Sequence, residues 1–287
     1  MTSKLKEGVM QGVFTLCACV SILAVALICI FLFANGVPTL FKIGPLKFLL
    51  GTTWKPGNDI FGILPMILGS IYVTAGAILV GVPIGLLTAI YMSKFASPRI
   101  NKVMLPAVQL LAGIPSVVYG LVGMLVLVPG IRKLFHLPDG SGLLAAMIVL
   151  AIMILPSIIN VAENALRAVP KEYEEASLAL GATKLETYFK VTLPAAGSGV
   201  AAAIVLGVGR AIGEAMAIIM VSGNVSNMPS IFAPVRFLTT GIVSGMGYAQ
   251  VGSLYHQALF SIGLVLFLFI MLINVLLNVL IKKKGDA

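Results

Sequence analysis

Long stretches without a charged residue leave this chain few architectures. Residues 8–41, 60–93, 103–131, 140–162 and 237–281 contain no Asp, Glu, Lys or Arg, and each exceeds the roughly 20 apolar residues that cross a bilayer as a helix. Hydrocarbon offers no partner to backbone N–H and C=O groups, so such runs satisfy them internally as helices. A sixth run, about 195–221, is also long enough but carries Arg210 and Glu214. Composition agrees, with 59% hydrophobic and 10% charged residues, against about 25% charged in soluble domains. The fold class expected is all-α, a polytopic membrane protein of six transmembrane helices and a single domain over residues 1–287. The spans are placed near 12–34, 62–92, 104–129, 142–162, 195–221 and 257–281, with a cytoplasmic loop at 163–194.

Orientation follows from the basic residues, which collect on the cytoplasmic side of membrane proteins. With the N-terminus inside, that side holds twelve: Lys4, Lys6, Lys94, Arg99, Lys102, Arg167, Lys171, Lys184, Lys190, Lys282, Lys283 and Lys284. Lys42, Lys47, Lys55, Arg132, Lys133 and Arg236 fall outside. Both termini are therefore expected in the cytoplasm. The net charge of +9 reads as topology and contact with anionic lipid rather than nucleic-acid binding. The first apolar run is longer than the hydrophobic region of a signal peptide and lacks a small-residue cleavage site, so an uncleaved helix is expected. Cys17, Cys19 and Cys29 lie within it without His or acid neighbours and read as small apolar residues. Trp54 reads as an interface anchor of the first outer loop. Pro83, Pro115 and Pro156 fall inside spans, where they predict kinks.

The loop before the fifth span is charged, yet patterned as helix. Pro170 suits a first helical position, and Gly181 is the residue that most readily closes a helix in the left-handed conformation. Tyr173, Ala176, Ser177 and Leu180 form one stripe between them. Thr183 and Glu186 then make a capping box that opens a second helix, ended by Pro194. Two short helices with small apolar stripes are marginal alone. Either a partner groove covers them or they fold back on the chain's own spans.

Arg210 and Glu214 stand four residues apart, on one face if the helix is continuous. A charge at mid-bilayer costs about 2.5–3.5 kcal/mol on insertion scales, so both are expected to face protein or water. One reading is a self-compensating ion pair, which contributes only about 0.2–0.5 kcal/mol on an exposed helix. The other is a substrate path in which the guanidinium meets an oxyanion and Glu214 balances it or accepts a proton-bearing oxygen. Gly209 and Gly213 make a small-xxx-small face suited to close helix approach, at a subunit interface or beside a narrow path. "GVGRAIG" lacks the strand that a dinucleotide fingerprint requires, and no G-x-x-x-x-G-K-[ST] is present, so ATP hydrolysis, if used, belongs to another chain. No metal or catalytic cluster is apparent in the sequence.

The segment containing Glu172, Glu174, Glu175, Ala176 and Gly181, followed by Leu193 and Pro194, resembles the EAA loop of bacterial ABC-importer permeases. "FGILPMILGSIYV", "VPIGLLTAIYMSKF", "LLAGIPSVVYGLVG", "SLALGATKLETYFKVTLPAA" and "LGVGRAIGEAMAIIMVSGN" resemble in order the phosphate-specific transport permeases, and "GRAIGEAMA" with "PSIFAPVRFLTT" is closer to their PstC type. Ala215 departs from the family, which usually carries Thr there. The resemblance implies a bacterial inner-membrane permease for inorganic phosphate that binds no cofactor itself. It implies coupling of Tyr173, Glu174, Glu175, Ala176, Leu180 and Gly181 to a cytoplasmic PstB-type ATPase dimer carrying ATP and Mg. It also implies a PstA-type second permease and a periplasmic or lipid-anchored PstS-type binding protein. Another oxyanion such as sulfate or molybdate, or an ATP-independent secondary transporter, remains the alternative.

Overall fold

The computed structural model describes the backbone of residues 2–285 and the side chains of residues 7–277 and 279. The side chains of Lys4, Lys6, Lys282, Lys283 and Lys284, which contribute to the charge bias, lie outside the described residues. The chain opens with α1 (Thr2–Ile43) and a short α2 (Pro45–Leu50). A hairpin of two-residue strands follows, β1 (Trp54–Lys55) on β2 (Ile60–Phe61), with Trp54 paired to Phe61. Next come α3 (Leu64–Ile90), which continues as one π-helical turn at Tyr91–Phe95, and α4 (Pro98–Gly113). After these are α5 (Ser116–Val122), a π turn at Gly123–Leu127, α6 (Val128–Phe135) and α7 (Leu143–Arg167). The loop holds α8 (Lys171–Ala179), α9 (Lys184–Thr187), a π turn at Tyr188–Thr192 and α10 (Leu193–Ala195). The chain ends with α11 (Gly197–Gly213), α12 (Met216–Val221), α13 (Leu238–Met246) and α14 (Leu254–Gly285).

Among the described residues, five helical stretches are long and apolar enough to cross a membrane, or six if a pair bent by 72° counts as one. The third expected span, 104–129, is corrected by the structure: a helix ends at Gly113 and another begins at Ser116, and the apolar crossing is Ser116–Phe135. Pro115 is the cause. Its ring disfavours helical geometry at the preceding residue, and Ile114 is extended at ψ 126°. Pro115 therefore caps a new helix, whereas Pro83 and Pro156 stay inside α3 and α7. The Tyr119 hydroxyl donates to the Leu111 carbonyl at 2.7 Å, satisfying one group freed by the break. The fifth expected span, 195–221, is interrupted as well, at Glu214 and Ala215.

The core centres on α7, packed between α3 and α11. Glycines permit the approach. A Cβ at Gly81 would lie 2.7 Å from Ile154, one at Gly85 2.9 Å from Ile158, and one at Gly207 2.8 Å from the same Ile158. Ile158 is thus clasped between a glycine of α3 and a glycine of α11, an instance of small residues bringing membrane helices together. At the hairpin end a second cluster joins Phe48, Trp54, Phe61, Ile63, Met66, Leu238, Ala258, Leu259 and Ile262. Trp54 is buried there, edge-on to Phe61 at 5.4 Å and Tyr255 at 6.1 Å. It is a core residue of the cluster around the hairpin, not the interface anchor expected.

Candidate functional site

The charged loop folds as two helices closed by glycine. Gly181 adopts φ 86°, its N–H donates to the Leu178 carbonyl at 3.0 Å, and the Ala182 N–H reaches back to Ser177 at 3.3 Å. These two bonds form a Schellman cap, the motif for which a left-handed glycine is suited. Pro170 sits one place earlier than expected, as N-cap of α8. The Thr183 and Glu186 capping box forms as read: Thr183 N–H donates to Glu186 Oε2 at 3.0 Å and Glu186 N–H to Thr183 Oγ1 at 3.3 Å. The Thr183 N–H, then the Thr183 hydroxyl, which donates to the same Oε2 at 3.0 Å, and then Lys190 hold the Glu186 carboxyl below its ordinary range.

The two faces of α8 differ. Tyr173, Glu175, Ala176, Leu180 and Gly181 are exposed, Leu180 at 90%. Leu185 on α9 and Phe189 in the π turn after it are exposed too. The chain's own spans do not cover this surface. Glu174, expected alongside them, points inward instead: it pairs with Lys94, the two side chains only 17% and 13% exposed, and accepts from Thr192 Oγ1 at 3.2 Å. Ser177 also turns inward, sharing a hydrogen bond with Thr187 at 3.0 Å. The polarity of Glu174 did not reveal this, because its partner lies 80 positions away. Glu163, given no role from sequence, is a buried acid on α7 paired with Arg167.

The second site is where α11 stops. Arg210 is half-buried in the last turn, and its Nη1 donates to Ser157 Oγ on α7 at 3.1 Å. Tyr119 of α5 lies within electrostatic reach of the guanidinium. Glu214 adopts an extended conformation, φ −72° and ψ 133°, and its Oε1 accepts the Ala217 N–H at 3.0 Å. Glu214 therefore caps α12, where Ala215 at the N-cap has no side-chain oxygen to do so. The structure corrects the shared-face expectation: the helix breaks between the two charges, and the ion pairs among the described residues do not include Arg210 with Glu214. Among the described residues, the hydrogen-bond partner of the Arg210 side chain is the neutral Ser157. A Cβ at Gly209 or Gly213 would meet nothing within 4 Å. Within the chain, helix packing falls to Gly199 and Gly207 instead, with Ala203 and Ala211 buried along the same line. Ser157, which follows Pro156, carried no signal in the sequence beyond that position.

Residues 81–284 match the family described as the binding-protein-dependent transport system inner membrane component. The probable ABC transporter permease protein YqgH of Bacillus subtilis is 42% identical over 273 residues, covering 92% of this chain and 88% of the relative. The phosphate transport system permease protein PstC of Mesorhizobium japonicum is 35% identical over 266 residues, covering 86% and 81%. A solved bacterial alginate ABC transporter, in complex with a periplasmic protein holding an alginate pentasaccharide, shares the fold at TM-score 0.58 and 17% identity, covering 93% of this chain and 95% of its own.

Proposed function

The chain belongs to the binding-protein-dependent transport system inner membrane components, and we propose that it is the permease subunit of an ATP-driven importer of inorganic phosphate. Relatives named as phosphate transport permeases support the substrate. The observation that carries the reading is Arg210, an always-charged fork of donors held at the end of a broken span by Ser157 and left unneutralised by Glu214. A guanidinium so placed matches the planar, bidentate geometry of an oxyanion.

The exposed face of Tyr173, Ala176 and Leu180 is the dock for a cytoplasmic ATPase dimer of PstB type, which carries ATP and Mg. A homologous permease of PstA type completes the translocation path across the open glycines Gly209 and Gly213, and the outer loops receive a phosphate-binding protein of PstS type. The chain lies in the bacterial inner membrane with both termini cytoplasmic.

Proteoliposomes holding the assembled complex test the substrate. Arg210→Ala is expected to abolish most ATP-dependent phosphate uptake, and competition across phosphate, sulfate and molybdate to favour phosphate. Uptake by Arg210→Ala at the original rate removes the assignment. Gradient-driven uptake by the chain alone would favour a secondary transporter.

A further inference from the structure

Two one-turn π segments meet beneath the exposed loop. Tyr91–Phe95 ends the second span, and Tyr188–Thr192 follows α9. Phe95 stands edge-on to Tyr188 at 4.8 Å, and the Lys94 ammonium lies 5.8 Å from the centre of the same ring. Lys94 also pairs with Glu174, which accepts Thr192 Oγ1 at 3.2 Å. Single π turns of this kind recur at functional sites in helices.

Stability is a poor reason for this arrangement. A pair taken largely out of water gains little net free energy over well-packed apolar residues, although loss of one partner leaves the other stranded. What it provides is one fixed register between α8 and the end of α3. From there the contacts are continuous: Gly81 and Gly85 of α3 seat Ile154 and Ile158 of α7, and the residue beside Ile158 is Ser157, which holds Arg210. Energetic coupling between distant sites runs through contiguous rigid elements of this type.

We infer that the Lys94–Glu174 ion pair is the link that delivers movement of the loop to the second span. It acts as a positioning pair, touching neither nucleotide nor phosphate. The inference rests on the reading of the loop as an ATPase dock.

Phosphate delivered per ATP hydrolysed, measured in the reconstituted complex with its ATPase and binding protein, tests it. Lys94→Met is expected to lower that ratio roughly fivefold or more, the low end of ordinary coupling between sites. Glu174→Gln, which keeps the volume and an acceptor for Thr192, is expected to do the same. The exchange of charges, Lys94→Glu with Glu174→Lys, recovers most of the loss. Wild-type ratios in both single variants overturn the link, as does an exchange no better than they are. A purely structural pair would lower the thermal midpoint and leave the ratio intact, which also counts against it. A wild-type complex showing no ATP-dependent phosphate uptake instead defeats the underlying reading of function.

Discussion

Ser157 governs where the Arg210 guanidinium points, because its Oγ, 3.1 Å away, is the hydrogen-bond partner the structure provides. Hydrogen bonds to charged groups contribute about 1.5–3 kcal/mol. Ser157→Ala is therefore expected to raise the half-saturating phosphate concentration about tenfold or more in ATP-driven uptake, with Ser157→Thr restoring it. Equal half-saturation in the alanine variant would mean that Arg210 orients itself by other means. Glu214 teaches a complementary lesson. Spacing alone suggested an ion partner for Arg210, whereas its carboxylate satisfies the Ala217 N–H at the start of α12. Orphan N–H groups at a helix start attract a carboxylate strongly, and here that demand replaces the i,i+4 pairing a continuous helix would have offered.

At the scale of elements, glycine register decides which helices touch. Gly199, Ala203, Gly207 and Ala211 recur every four residues on the face of α11 against α7, while Gly209 and Gly213 fall on another face with open space over them. A Cβ at Gly207 would press on Ile158 at 2.8 Å, and overpacking of this kind costs about 1–3 kcal/mol. Gly207→Val should lower the thermal midpoint of the detergent-solubilised chain, and Gly209→Ala should leave it unchanged. Equal midpoints would show that the α7–α11 contact is looser than described. Both glycine series have the same spacing, and periodicity reports a face, not what stands opposite it. Charge-free runs were legible because length against bilayer thickness is a one-dimensional property. The breaks at Ile114 and Glu214 were not: a proline inside an apolar run either kinks a helix or ends it according to the neighbours that accept the freed groups, and the break at Glu214 has no proline to mark it, only a carboxylate that caps the following helix. The capping box and Gly181 were legible for the opposite reason, as their partners lie within a few residues.

Across the whole molecule, tertiary contacts gather the loop and the span ends that adjoin it. Glu174 meets Lys94, and Arg167 Nη2 and Asn101 Nδ2 both donate to the Met92 carbonyl, at 3.4 and 2.8 Å. Lys42, Lys47 and Asp59 line one groove with the hairpin, a group the basic-residue bias assigns to the other side. A largely apolar groove of about 950 Å³ on α5, α6 and α7 is lined by Val118, Tyr119, Leu127 and Ile148 among others; lipid or a neighbouring helix can fill it. The two-sided distribution makes orientation directly measurable. In a background with Cys17, Cys19 and Cys29 replaced by Ala, Lys55→Cys and Leu180→Cys place single thiols at exposed positions in the hairpin and the loop. Expressed without its ATPase, the chain should react with a membrane-impermeant maleimide at position 55 in spheroplasts and at position 180 only in inverted vesicles. Adding the ATPase should then protect position 180, because a leucine 90% exposed in the isolated chain is the side chain a docking cleft would cover first. Labelling of position 180 from outside would reverse the topology and separate the loop from any cytoplasmic motor; free labelling after the ATPase has bound would place the dock elsewhere on the chain.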